Sequence, residues 1–204
     1  INEIGFFSYN TSGVNEVYDT VTNTWATKTP LPRETMQFQA HVVNGKIYVI
    51  AWSHMYVYDP TDDSWTTKTR MPPPYQHTSP VSVAVGNKII LTGEFQTGYS
   101  LRSEQRVLIY DTETDNWSEG TSGPIVVVEG AAEATTGVKA PQRFYVLGLA
   151  SANQVYDPKT DAWATATPMP TNRMYFGVAV INDILYAIGG HLSPGEVTSV
   201  NEQY

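Results

Sequence analysis

Apolar and polar positions along this chain fall into short runs separated by tight polar turns, and the runs return in the same order. The C-terminal copy shows it most fully. Met174 to Ile181 is apolar and rich in small residues, Asn182-Asp183 reads as a hairpin turn, and Ile184 to Gly190 is a second run ending on Gly189-Gly190. Upstream, Ala40-His41-Val42-Val43 leads through Asn44-Gly45, a strong short hairpin signal, into Lys46-Ile47-Tyr48-Val49-Ile50. Pro80 to Val85, Gly86-Asn87 and Lys88 to Gly93 repeat the pattern. Ala131 to Gly148 is a looser copy whose turn is lengthened by Val138-Lys139-Ala140-Pro141-Gln142. Runs this short, bounded by turn residues, predict strands joined in hairpins.

Between the hairpins stands a second signal, present four times. Tyr18-Asp19 precedes Trp25, Tyr58-Asp59 precedes Trp65, Tyr110-Asp111 precedes Trp117 and Tyr156-Asp157 precedes Trp163, always at the same interval. Asn or Asp fills the same turn position in each copy. A Thr follows four residues after the Trp (Thr29, Thr69, Thr121, Thr167), and a Pro seven after it (Pro32, Pro72, Pro124, Pro170). The third strand of each repeat is expected to end at the Tyr-Asp, and the fourth to carry the Trp.

The Trp-to-Trp intervals are 40, 52 and 46 residues. A repeat of that length built of strands points to a propeller blade. Ile1 to Phe7 matches only a second strand, while Val200 to Tyr204 matches Val14 to Tyr18 and so stops inside a third. The expectation is a single domain over 1–204, with three complete four-stranded blades (36–69, 78–121, 131–167) flanked by incomplete ones (1–29 and 174–204). Such an arc implies a fragment, or a ring that another chain completes.

Composition narrows the classes. Charged residues make up 16% of 204 residues and Thr, Tyr, Val and Trp are plentiful, which suits a folded all-β chain. A formal net charge of −8 with no basic stripe argues against nucleic acid and against anionic lipid. No apolar run is long enough to span a membrane as a helix. With no Cys there is no disulfide framework, thiolate metal site or Cys nucleophile. Two sequons, Asn10-Thr11-Ser12 and Asn116-Trp117-Ser118, hint at an extracellular or cell-surface setting.

The order of apolar strand, turn, strand ending in Gly-Gly, then Tyr-Asp, then Trp resembles the kelch repeat family over essentially the whole chain. In tone, Tyr156-Asp157-Pro158 through Gly189-Gly190 is similar to prokaryotic secreted or surface kelch proteins. The resemblance implies a β-propeller of six or seven blades, more than this chain supplies. Diglycine survives only at Gly189-Gly190; its counterparts are Ala51-Trp52, Gly93-Glu94, Gly148-Leu149 and Gly5-Phe6.

Tyr18, Trp25, Tyr58, Trp65, Tyr110, Trp117, Tyr156 and Trp163 recur too regularly to be a site, and are expected to fill the space between blades. Each following Asp, with the turn Asn or Asp, is expected to satisfy backbone N–H groups locally. Function is expected on the loops entering the first strand and leaving the second. Those loops supply the candidate ligand-binding residues Arg33, Glu34, Trp52, His54, His77, Glu94, Arg173, Tyr175 and His191, with Gln37, Tyr75, Tyr99 and Arg102 beside them. Aromatic rings, Arg and His converging there suit a carboxylated sugar or an acidic peptide. His41, inside a strand, is expected to be structural. No metal site and no cofactor are expected.

The leading functional expectation is a non-catalytic module recognising a protein or glycan, as part of a larger or oligomeric surface protein. One alternative is an enzyme resembling the kelch sialic acid mutarotases, with Glu34 or Glu94 as acid/base and Arg173 holding the sugar carboxylate. Another is an architectural arc that assembles with copies of itself. Galactose oxidase is excluded as a likeness, because its copper site needs a Cys.

Overall fold

Wherever the Tyr-Asp…Trp segment occurs, it closes as an antiparallel hairpin with the Tyr directly across from the Trp: Tyr18 from Trp25, Tyr58 from Trp65, Tyr110 from Trp117, Tyr156 from Trp163. The two rings lie 5.0–5.1 Å apart, tilted. The last turn residue must be left-handed, with φ of 57° at Asn23, 53° at Asp63, 56° at Asp115 and 52° at Asp161. That explains the fixed Asn or Asp, the side chains that enter this region at least cost after Gly. The Tyr hydroxyl donates to the same side chain, at 2.7 Å from Tyr58 to Asp63 and 2.6 Å from Tyr156 to Asp161. The Asp next to the Tyr caps the turn from inside, as Asp111 does by accepting from the amides of Glu113 and Thr114.

The computed structural model describes residues 12–35, 38–73, 75–77, 81–97, 100–124, 130–148, 151–193 and 196–203. The expectations for Ile1 to Phe7, Gln37, Tyr99, Leu149 and Tyr204, and for Asn10-Thr11 of the first sequon, lie outside these residues. The chain divides into two compact units, residues 1–70 and 71–204.

In the first unit, β1 (Asn15–Asp19) pairs with β2 (Thr24–Lys28). A four-stranded antiparallel meander follows: β3 (Gln39–Val43), β4 (Lys46–Ala51), β5 (His54–Asp59) and β6 (Ser64–Lys68). Alternate residues Val49, Ala51 and Tyr56 make a core on which Leu31, Ile47 and Trp65 pack. The segment after β2 is tied to β6 by a clamp on one residue. Thr29 donates its amide to Asp63 Oδ1 at 2.9 Å, and its carbonyl accepts Trp65 Nε1–H at 2.8 Å and Asn15 Nδ2–H at 3.1 Å. His41 lies in β3, and burial lowers its pKa to about 4, so the imidazole is neutral at pH 7.

In the second unit, β7 (Tyr75–His77) and β8 (Val81–Val85) both pair with the long β9 (Lys88–Thr97), followed by β10 (Ser100–Asp111) and β11 (Asn116–Gly123). The second strand expected to end at Gly93 continues to Thr97 and returns from Ser100, which accounts for the 52-residue interval. Next comes the meander of β12 (Ala131–Ala134), β13 (Phe144–Gly148), β14 (Ala152–Asp157) and β15 (Ala162–Thr165). The last sheet is β16 (Gly177–Ile181), β17 (Ile184–Ile188) and β20 (Asn201–Gln203), with the small hairpin of β18 (His191–Ser193) and β19 (Glu196–Val197) inserted before β20. Among the described residues these are three complete blades and two partial ones, as the repeat predicts. The strand expected from Met174 starts instead at Gly177, because Tyr175 turns left-handed at φ 53° and Met174 only bridges His191.

The clamp recurs here. Thr121 donates its amide to Asp161 Oδ1 at 2.7 Å, and its carbonyl accepts Trp163 Nε1–H at 2.7 Å. The turn Asp therefore reaches 40 residues back along the chain, where the sequence predicts only a local role. Asp183 makes a similar reach, accepting from the amides of Thr136, Lys139 and Ala140 and fastening the lengthened β12–β13 turn to the β16–β17 turn. These bonds hold its carboxyl well below the usual range.

Tyr156 is fully buried while Tyr18 is 41% exposed. Tyr156→Phe, which removes only the hydroxyl that holds Asp161, is expected to cost about 1 kcal/mol, and Tyr18→Phe close to nothing. Chemical denaturation of the two variants measures both; equal losses contradict the clamp.

Candidate functional site

The expected site residues are divided between the two units. In the first, β4 and β5 are joined by Trp52-Ser53, and both conformation and exposure are unusual there. Trp52 has φ 57° and is 45% exposed. In the equivalent turn after β17 the chain has Gly189-Gly190, at φ 68° and 98°. A bulky residue thus takes a left-handed position that in the last copy is left to Gly, at a cost of order 1 kcal/mol or more. The turn is pinned beneath: Ser53 is buried and accepts Arg70 Nε–H at 2.8 Å.

Beside Trp52, His54 stacks on Tyr56 with ring centroids 5.9 Å apart and planes within 4°. Burial, then the charges of Arg70 and Arg33, push the His54 pKa below its ordinary value. Both guanidiniums thus disfavour the charged imidazole, which stays neutral at pH 7. Arg33 and Glu34 are exposed on the loop that leads toward β3. Arg70 is the member the sequence reading missed. The signal was present, since the position five after the Trp is Pro30 and Pro168 in other copies and Arg only here.

In the second unit, Tyr175 is 62% exposed in its left-handed turn, and its ring meets His191 edge to face at 6.0 Å. Arg173 corrects an expectation. It is fully buried, with its guanidinium paired to Glu202 and donating to the carbonyls of Val200 at 2.9 Å and Gly189 at 3.2 Å. Its plane lies 5.9 Å from the Phe176 ring. A side chain spent on fastening β20 to the loop before β16 cannot hold a substrate carboxylate, so the mutarotase assignment loses its anchor. His77 and Glu94 lie on paired strands, with His77 opposite Phe95 and Glu94 opposite Gln105. Among the described residues no three His, Asp or Glu side chains converge as a metal-ligand set.

Burial raises the Glu202 pKa, but the Thr171 hydroxyl and the Arg173 guanidinium outweigh it and leave the net shift downward. The ionised pair therefore stabilises the unit above the ordinary value of 4.5, and that contribution fades as pH falls through the lower folded value. Glu202→Gln leaves Arg173 buried without its counter-charge and is expected to cost about 3 kcal/mol at pH 7. It should also flatten the loss of stability below pH 5. Denaturant unfolding across that range checks it; an unchanged acid limb would show that the pair contributes nothing.

No family model matches the chain. It is 25% identical over 212 residues to Kelch-like protein 26 of Danio rerio, covering 92% of this chain and 32% of that protein. Kelch-like protein 35 of Mus musculus is 25% identical over 185 residues, covering 90% of this chain and 24% of that protein. Kelch-like protein 23 of Pongo abelii is 29% identical over 125 residues, 58% of this chain and 21% of that protein. The chain thus spans a third or less of the length of these curated relatives. Among solved structures, YjhT superposes with a TM-score of 0.72 at 15% identity, over 92% of this chain and 71% of that one, a likeness of fold.

Proposed function

The chain is a kelch-repeat β-propeller, and we propose that it is a non-catalytic recognition module that binds an acidic protein segment at the β4–β5 turn. The observation that carries this reading is Trp52, held exposed in a left-handed turn where the last copy of the repeat uses Gly190. Strain of this kind destabilises the free protein and survives where the side chain is needed. Trp and Arg are the side chains that dominate protein interfaces, and Arg33 and Arg70 both act on His54, two residues along the chain from Trp52. This cationic spot sits in a chain of net charge −8, which favours a carboxylate-bearing segment at that spot and repels it elsewhere. The kelch-like names of the relatives support a binding module, and the burial of Arg173 removes the residue on which the mutarotase alternative was built.

Trp52→Gly separates binding from stability. It relieves the strained φ, so the first unit is expected to hold or gain up to about 1 kcal/mol. Affinity for acidic peptides selected from a displayed library on the wild-type protein should fall by about tenfold or more. Arg70→Ala should weaken the same peptides and reduce the salt dependence of binding. Peptides that bind the Trp52→Gly protein as tightly as the wild type would place recognition elsewhere.

A further inference from the structure

Of the four Trp-bearing strands, β11 is the longest. It runs eight residues, Asn116–Gly123, against five in β2, five in β6 and four in β15. It is a sheet edge, paired on one side only, by β10. An edge of this kind offers a row of main-chain N–H and C=O groups to any other strand, and proteins blunt it with Lys, Pro, bulges or short length. β2 and β6 are short and end on Lys28 and Lys68, and β15 is shorter still. β11 has neither Lys nor Pro, and its one charged side chain, Glu119, pairs with Arg106 of β10 at 3.5 Å. Its far end is blunted by a bulge, since Gln105 and Val107 stand opposite Gly123 and Gly120, and by the hold of Asp161 on Thr121. Residues 116–119 are left with the paired Glu119 alone.

The sequon Asn116-Trp117-Ser118 lies on that same stretch. Asn116 and Ser118 stand two apart in a strand and so project from one face, while Trp117 turns to the other, its ring 5.0 Å from that of Tyr110. Both are exposed, with β15 of the following sheet in place beside β11. Asn116 donates one N–H to the carbonyl of the exposed Thr114 at 2.9 Å, which keeps the side chain at the surface of the turn. The same position is Thr24, Ser64 and Ala162 in the other copies, so the hairpin does not require Asn there. An acceptor amide and its sequon hydroxyl on one exposed face can carry a bulky polar group without disturbing the core.

We propose that Asn116 is the acceptor of an N-linked glycan, and that this glycan covers the open end of the β11 edge. Asn116 Nδ2 forms a bond to the anomeric carbon of an oligosaccharide carried on a lipid pyrophosphate. The bond from that carbon to the pyrophosphate oxygen breaks, the lipid pyrophosphate leaves with the electron pair, and the amide nitrogen gives up one proton. The modification takes place as the chain passes through a secretory compartment. It lies in the second unit and is independent of the reading given to Trp52.

The test produces the full chain behind a cleavable secretory signal in eukaryotic cells, with Asn10→Gln in every sample so that one sequon remains. Peptide mass mapping is expected to find an N-glycan on Asn116, and to find it lost in Ser118→Ala, which keeps the Asn116 side chain. Enzymatic release of the glycan from the folded chain should leave the circular dichroism unchanged and increase self-association in light scattering at equal concentration. Asn116→Lys, which blunts the edge with a charge instead, should reduce that self-association without any glycan. An unmodified Asn116 in the secreted, folded chain overturns the proposal. So does a glycosylated chain that self-associates as readily as the enzymatically deglycosylated one.

Discussion

In each unit one pair of neighbouring sheets shares a reciprocal contact, in which a hairpin takes both the N–H and the C=O of a single Thr. Thr29 is gripped by Asp63 and Trp65, and Thr121 by Asp161 and Trp163. A main-chain group pair has no side-chain entropy to lose, and taking both groups at once leaves neither unsatisfied. The Asp must be left-handed to reach its Thr, the Tyr hydroxyl fixes the Asp, and the Trp must lie across from the Tyr. One contact thus accounts for the fixed spacing of Tyr, Asp and Trp within the hairpin. It also sets electrostatics: Tyr58 is pushed up to about 12, by burial and by Asp63, while bonds from Tyr58 and Thr29 lower Asp63.

Much of the fold was legible because this contact is written in the sequence at fixed intervals. The strands, the blade count and the hairpin turns follow from alternation and from the Tyr-Asp…Trp frame. Its meaning was less accessible. Local turn chemistry accounts for an Asp at position 63 or 161 without any distant partner, so a reach of 34 or 40 residues leaves no mark beyond the Thr four residues after the Trp. The β9–β10 hairpin runs on past Gly93, the place where the diglycine of the last copy marks the end of a second strand. Tyr175 interrupts the expected strand from Met174 by a left-handed turn that nothing in a Tyr announces.

The site divides along the same line. Trp52 was visible as a break in the diglycine pattern, and the structure adds the reason that the break matters, a strained backbone. Arg70 departs from the repeat by the same rule, but it lies just past a fourth strand, outside the loops that enter the first strand and leave the second. Arg173 shows the opposite failure. An Arg on a loop at a sheet end reads as a ligand residue, and only its complete burial beside Glu202 reveals a fastening. Sequence pattern locates residues that differ from the repeat; burial decides whether the difference faces a partner or the core.

The amide of Thr121 tests the clamp most directly. It sits on an exposed residue near the end of β11, where an ordinary amide would exchange quickly with solvent. With its N–H held by Asp161, native-state hydrogen exchange should show protection comparable to that of the β13 and β14 amides, and Asp161→Ala should remove it selectively. Exchange of Thr121 at the rate of a free loop in the wild-type protein would contradict the account.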